Sequence, residues 1–203
     1  MNRVPDFSIE RLRLALSEYR PKSVSSEGLR AAGVLVPLFR RGGAWYLLLC
    51  RRSDQLAEHR GEVAFPGGRL EDGDADLREC ALREAQEEVG VRPEDVTVLG
   101  ALDQVNTRTG YAVSPTVGTL PNGYAFTANE REVAELLEVP MEWLLEEQSV
   151  RHEAVVQPDG SLARRRTYAF GPHLVFGATA RIVTDLLGML AQSRDVHTPE
   201  VSG

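Results

Sequence analysis

The chain has 203 residues, 42% of them hydrophobic, which is enough for one domain with a sizeable core and removes any need for disulfide or metal staples. Its net charge of −7 argues against general nucleic-acid binding and points to small molecules and cations as partners. No apolar run approaches the ~20 residues of a membrane span, and the first residues lack a signal-peptide core, so a cytoplasmic protein is expected, with a homodimer left open.

Ile9, Leu12, Leu16 and Tyr19 recur at helical spacing, and residues 1–28 read as an accessory helix and linker on a single domain spanning 1–203. "AAGVLVPLFR" and "AWYLLLCRR" flank Arg41-Gly42-Gly43 as a hairpin; both are near-continuously apolar, so the sheet should be covered on both faces. Cys50 and Cys80 have no ligand or disulfide spacing and read as reduced packing residues. "EVAF" is a short strand, and "PGGRLEDGD" a loop.

A helix follows, capped at Asp74 or Asp76 and stopped by Gly90, with Leu77, Ala81, Ala85 and Val89 as its apolar stripe. "DVTVLGALDQV" and "AVSPTVGTL" read as strands, Pro115 placing the second at an edge or bulge. "NEREVAELLEV" reads as a helix opened by a capping-box-like Asn129 and Glu132, and Pro140 starts another. "VQPDGSL" turns between two late strands, a helix runs from about 178 to 192, and 193–203 is a polar tail. The mixed order predicts an α/β fold: a mixed sheet sandwiched between helices.

The helix ending "LREAQEEVG" carries Glu84, Glu87 and Glu88 on one sector of its last turns, where the helix dipole disfavours carboxylates. Arg83 can pair with Glu87, but one arginine does not neutralise three acids. A divalent cation would, and an all-oxygen donor set selects Mg²⁺ or Mn²⁺ rather than zinc. Gly67 and Gly68, just upstream, let backbone approach a ligand. A solvated acidic face beside a glycine turn is the plainer alternative.

The string "GGRLEDGDADLRECALREAQEEVGV" resembles the Nudix signature. Arg83, Glu84, Ala85, Glu87, Glu88, Gly90 and Val91 match its second half; in the first half Asp74 stands where the family has glutamate, with one extra residue before Arg83. Upstream, "LLCRRSDQLAEHRGEVAFPGG" resembles the motif of the coenzyme A pyrophosphatase branch through Leu48, Leu49, Arg52, Ser53, Gly61, Phe65, Pro66, Gly67 and Gly68. Cys50 replaces its threonine and Ala57 its arginine, with Arg60 three residues on.

The resemblance implies a Nudix α/β/α sandwich and Mg²⁺- or Mn²⁺-dependent hydrolysis of coenzyme A to 4′-phosphopantetheine and adenosine 3′,5′-bisphosphate. It also implies Glu84, Glu87, Glu88 and the Gly67 carbonyl as the metal set, Arg83 as an orienting residue, and Glu132 or Glu130 as a further acid. Arg52 and Arg60, ahead of Arg51 and Arg164-Arg165-Arg166, would bind substrate phosphates with Gly67 and Gly68. Ala57 keeps ADP-ribose, a dinucleotide or a capped RNA end open as alternative substrates, and a non-catalytic nucleotide-binding module is the reading from another class.

Overall fold

The computed structural model describes residues 7–55, 59–157 and 159–192, with no side-chain account of 191 and 192; Ala57 and the expected tail 193–203 lie outside the described residues. These residues form four α-helices: α1 (Ile9–Glu18), α2 (Leu77–Val89), α3 (Met141–Leu145) and α4 (Gly177–Gln192). Eleven strands accompany them: β1 (Arg30–Arg41), β2 (Ala44–Arg52), β3 (Val63–Ala64), β4 (Gly67–Arg69), β5 (Thr97–Ala101), β6 (Val105–Asn106), β7 (Tyr111–Thr119), β8 (Val133–Pro140), β9 (Val150–Val156), β10 (Leu162–Phe170) and β11 (His173–Val175).

The main sheet runs β3-β2-β1-β7-β5, with β4 also paired to β1, β6 to β7 and β8 to β2. Among the described residues only β1 and β7 pair in parallel, so the sheet is mixed, as the sequence predicts. The alternation of a pleated strand divides the apolar run of β1 between two cores. Leu35 and Phe39 join Leu48, Cys50, Ala81, Ala85 and Val89 under α2. Val36 and Leu38 face the other way and pack with Leu47, Leu49, Leu12, Leu16 and Leu186, beneath α1 and α4. Burial on both faces explains why these strands lack alternating polarity. β9, β10 and β11 form a separate antiparallel sheet in the order β11-β10-β9.

Three expectations are corrected. "PGGRLEDGD" is not wholly loop, because Gly67–Arg69 pairs with Ala32–Val34 of β1 through backbone groups that a side-chain pattern does not register. "NEREVAELLEV" is not a helix: Val133–Pro140 is strand β8, antiparallel to β2. Its Val133, Leu136 and Leu137 mimic helical i, i+3, i+4 spacing, yet Leu136 packs on the α2 side and Leu137 on the opposite side. Pro115 is neither at an edge nor in a bulge; it lies inside β7, opposite Val34. Its carbonyl accepts from the Leu102 N–H at the gap between β5 and β6, so its missing donor faces a place where the ladder is interrupted.

Candidate active site

Helix α2 is held at both ends by local chemistry. Of the two cap candidates it is Asp76 that caps, its side chain accepting from the Glu79 N–H at 2.8 Å, while Glu79 accepts from the Ala75 N–H at 2.6 Å. Gly90 closes the helix in the left-handed conformation at φ 71°, with its N–H on the Gln86 carbonyl and that of Val91 on Ala85. No basic residue stands in the last turn to offset the acids there.

Asp74 takes a different part. Its carboxylate forms a two-pronged pair with Arg83, Oδ1 to Nε at 2.9 Å and Oδ2 to Nη2 at 3.0 Å, and its side chain is only 3% exposed. The guanidinium beside it holds this carboxyl down at about 2. Arg83 also donates to Glu84 at 2.9 Å, to the Arg69 carbonyl at 3.1 Å and, weakly, to the exposed Glu87 at 3.5 Å. The glycine loop is thereby tied to the acidic helix through one cation.

Glu88 is 3% exposed, its carboxylate accepting from the Gly67 N–H at 3.1 Å and standing 3.5 Å from Arg52 Nη1. Burial pushes this carboxyl up to about 7, with Glu84 and Glu132 adding repulsion against the Gly67 hydrogen bond and the Arg52 charge. Glu84 is raised as well, first by burial and then by Glu87 and Glu132 against the pull of Arg83. Glu84, Glu88 and Glu132 therefore feel one another. Arg52 Nε is buried with no hydrogen-bond partner, alone in this among the described side-chain nitrogens and oxygens.

Glu132 arrives by a β-bulge. The register of β8 on β2 sets Glu135 opposite Arg51 but Val133 opposite Arg52, leaving Ala134 as the extra residue. Val133 consequently faces the α2 core, and the preceding turn docks on the end of α2 through the Asn129 N–H to the Glu88 carbonyl at 2.9 Å. Asn129 Nδ2 donates to Glu132 Oε1 at 3.1 Å, so the two residues do meet, in a turn before a strand rather than in a helix cap. Sequence reasoning missed this anchoring role of Asn129. Glu130 is exposed, and so is Arg60 in the turn between β2 and β3.

The NUDIX domain family matches residues 29–164. The chain belongs to the Nudix family. A protein described as uncharacterized Nudix hydrolase NudL from Cronobacter sakazakii is 42% identical over 168 residues, covering 82% of this chain and 86% of that one. The NudL protein of Escherichia coli O139:H28 is 36% identical over 181 residues, covering 89% and 92%. A solved MutT/nudix family protein from Enterococcus faecalis shares the fold at a TM-score of 0.53 and 15% identity, over 92% of this chain and 70% of that one.

In this Nudix chain the two glycines do different things. A Cβ on Gly67 would overlap the Gly33 carbonyl and Val34 Cα of β1, whereas one on Gly68 would overlap the carboxylate of Glu84. Gly67→Ala is therefore expected to lower stability by about 1–3 kcal/mol, seen as a fall in the urea midpoint, because backbone must move. Gly68→Ala meets the end of a flexible side chain and should cost less than about 1 kcal/mol while displacing Glu84.

The residues fit a hard divalent cation. Two buried or half-buried carboxylates one helical turn apart, with a third acid near both, form an oxygen donor set whose mutual repulsion a cation would relieve. Among the described residues no three acidic, histidine or cysteine side chains converge closely enough to enclose an ion as they stand, since Arg83 draws Glu84 and Glu87 to itself.

Proposed function

We propose that this Nudix hydrolase cleaves the diphosphate of coenzyme A or its derivatives, giving 4′-phosphopantetheine and adenosine 3′,5′-bisphosphate. The observation that carries the reading is the unmet Arg52 Nε beside the buried carboxylate of Glu88. A guanidinium with one donor unused, set against a buried acid that a cation would relieve, suits a site for a phosphate together with a divalent cation. The upstream motif that suggests coenzyme A thus lies against the acidic helix: Arg52 at Glu88, Gly67 at Glu88 and Gly68 at Glu84.

Glu84, Glu88 and the more exposed Glu87, with the Gly67 carbonyl, are the residues to hold Mg²⁺ or Mn²⁺. When bound, the metal acidifies the attacking water and neutralises phosphate oxygens. Arg52 orients the diphosphate through its guanidinium, part of which remains exposed. Glu132 accepts the proton of the water, and Asn129 holds its other carboxylate face. Arg83, clamped by Asp74, keeps Glu84 turned toward Gly68. Arg60 is the candidate for the 3′-phosphate of coenzyme A.

The test is a substrate panel of coenzyme A, ADP-ribose, a diadenosine polyphosphate and a capped RNA, each with Mg²⁺. Coenzyme A is expected to give the highest kcat/KM, and ADP-ribose turned over while coenzyme A stays intact would overturn the assignment. In the same assay Arg52→Ala should lower kcat/KM about 10²-fold, because a charge-assisted phosphate contact of about 2–3 kcal/mol is lost.

A further inference from the structure

The ribbon formed by β9 and β10 is exposed along most of its length, and β9 is the edge strand of its sheet. Its tip carries Val156 and Leu162 at 64% and 74% exposure. A seven-residue edge with open backbone groups invites a further strand, and proteins usually cover or blunt such an edge. We infer that a second copy of this chain covers it, β9 pairing antiparallel with the partner's β9 about a two-fold axis midway between His152 and the partner's His152.

The register follows from two observations. The Gln157 N–H donates to the Ser161 carbonyl of the same hairpin, so by strand alternation Val155, Glu153 and Arg151 turn their backbone groups toward β10. Val150, His152, Ala154 and Val156 turn theirs outward. A two-fold axis normal to the sheet keeps each face on its own side, so it must lie midway between one residue and the same residue of the partner, pairing even positions with even positions.

Charge then selects among the allowed registers. Centred on Glu153, the pairing sets Glu153 against the partner's Glu153, a like-charge contact. Centred on Ala154, it sets Glu153 against the partner's Val155 and leaves Arg151 with no acid. Centred on His152, it sets Arg151 against the partner's Glu153 twice, in the closely spaced non-hydrogen-bonded positions where cross-strand pairs interact best. His152 then exchanges backbone bonds with the partner's His152, and Val150 with the partner's Ala154, for roughly six hydrogen bonds in all. Glu153 already faces Arg165 within its own hairpin, so the partner's Arg151 would flank it on the open side. In the single chain Arg151 donates instead to the carbonyls of Gln148 and Val150, contacts its exposed side chain can exchange.

Sedimentation velocity across a concentration series tests this. The wild-type chain should reach twice its monomer mass. Arg151→Glu and Glu153→Arg should each raise the dissociation constant at least about tenfold, since each places two like charges opposite one another, while an equimolar mixture of the two variants should dimerise, both cross-strand pairs being restored in the mixed dimer. His152→Pro removes an outward N–H without touching the β10 ladder and should abolish the dimer with circular dichroism unchanged. A wild-type monomer at every concentration, a dimer indifferent to His152→Pro, or a mixture no more associated than its components would overturn the inference.

Discussion

Glu88→Gln is expected to abolish diphosphatase activity and to make the metal-free protein more stable. The loss of activity should be about 10³-fold or more, roughly 4 kcal/mol of transition-state stabilisation, because a neutral amide replaces a carboxylate at the centre of the proposed cation site. The gain in stability follows from the displaced carboxyl. Its affinity for a proton in the folded protein, at about 7, exceeds the ordinary value of 4.5, so between those pH values the native state binds more protons than the unfolded chain.

Stability therefore falls as pH rises from about 4.5 through about 7, by at most roughly 3 kcal/mol from this group, and stays low above. Glutamine carries no charge to bury, although it forfeits the attraction of Arg52. In chelator at pH 8 the variant should be about 1–2 kcal/mol more stable than the wild type by urea denaturation, and the difference should close near pH 5. Added Mg²⁺ should stabilise the wild type and leave the variant unchanged. A variant that keeps full activity, or that is less stable at pH 8, would remove the cation argument.

Asp74→Asn is expected to weaken both the fold and the chemistry through Arg83. It breaks two short charge-assisted bonds, so a loss of about 1–3 kcal/mol is expected at pH 7. Asp74 has its proton affinity lowered, to about 2, so its contribution is complete above the usual 3.8 and is lost as pH falls through about 2. The wild type and the variant should converge in strong acid, the opposite direction from Glu88. With Arg83 released from Asp74, Glu84 loses its orientation, and kcat should fall about 10–100-fold with a smaller change in KM. Equal stability of variant and wild type at pH 7 would contradict the clamp.

The two acids show where sequence is informative and where it stops. Glu84 and Glu88 could be placed on one face because helical spacing is fixed by geometry, and their poor fit to the helix dipole already signalled a missing cation. Their burial could not be read, because it comes from Gly67, Gly68 and Arg52 folding back across the helix. Asp74 looked like a diminished metal ligand or a cap; its pairing with Arg83 exists only because the loop before α2 reverses.

The same division holds for the fold. The β1–β2 turn was legible because Gly42 and Gly43 occupy positive φ, a local property. Strand β8 was not, because a strand that packs apolar residues on both faces produces the paired apolar residues of a helix, and only its partner β2 resolves the choice. Its bulge at Ala134, which brings Glu132 to the acids, is set by the register of two strands and leaves no mark in either sequence alone.

The most direct measurement is phosphorus NMR of the purified protein with coenzyme A, once with Mg²⁺ and once with chelator. Loss of the diphosphate resonances and equal growth of two phosphomonoester products, 4′-phosphopantetheine and adenosine 3′,5′-bisphosphate, are expected only when the metal is present. Coenzyme A left intact with Mg²⁺, or consumed equally in chelator, would contradict the assignment.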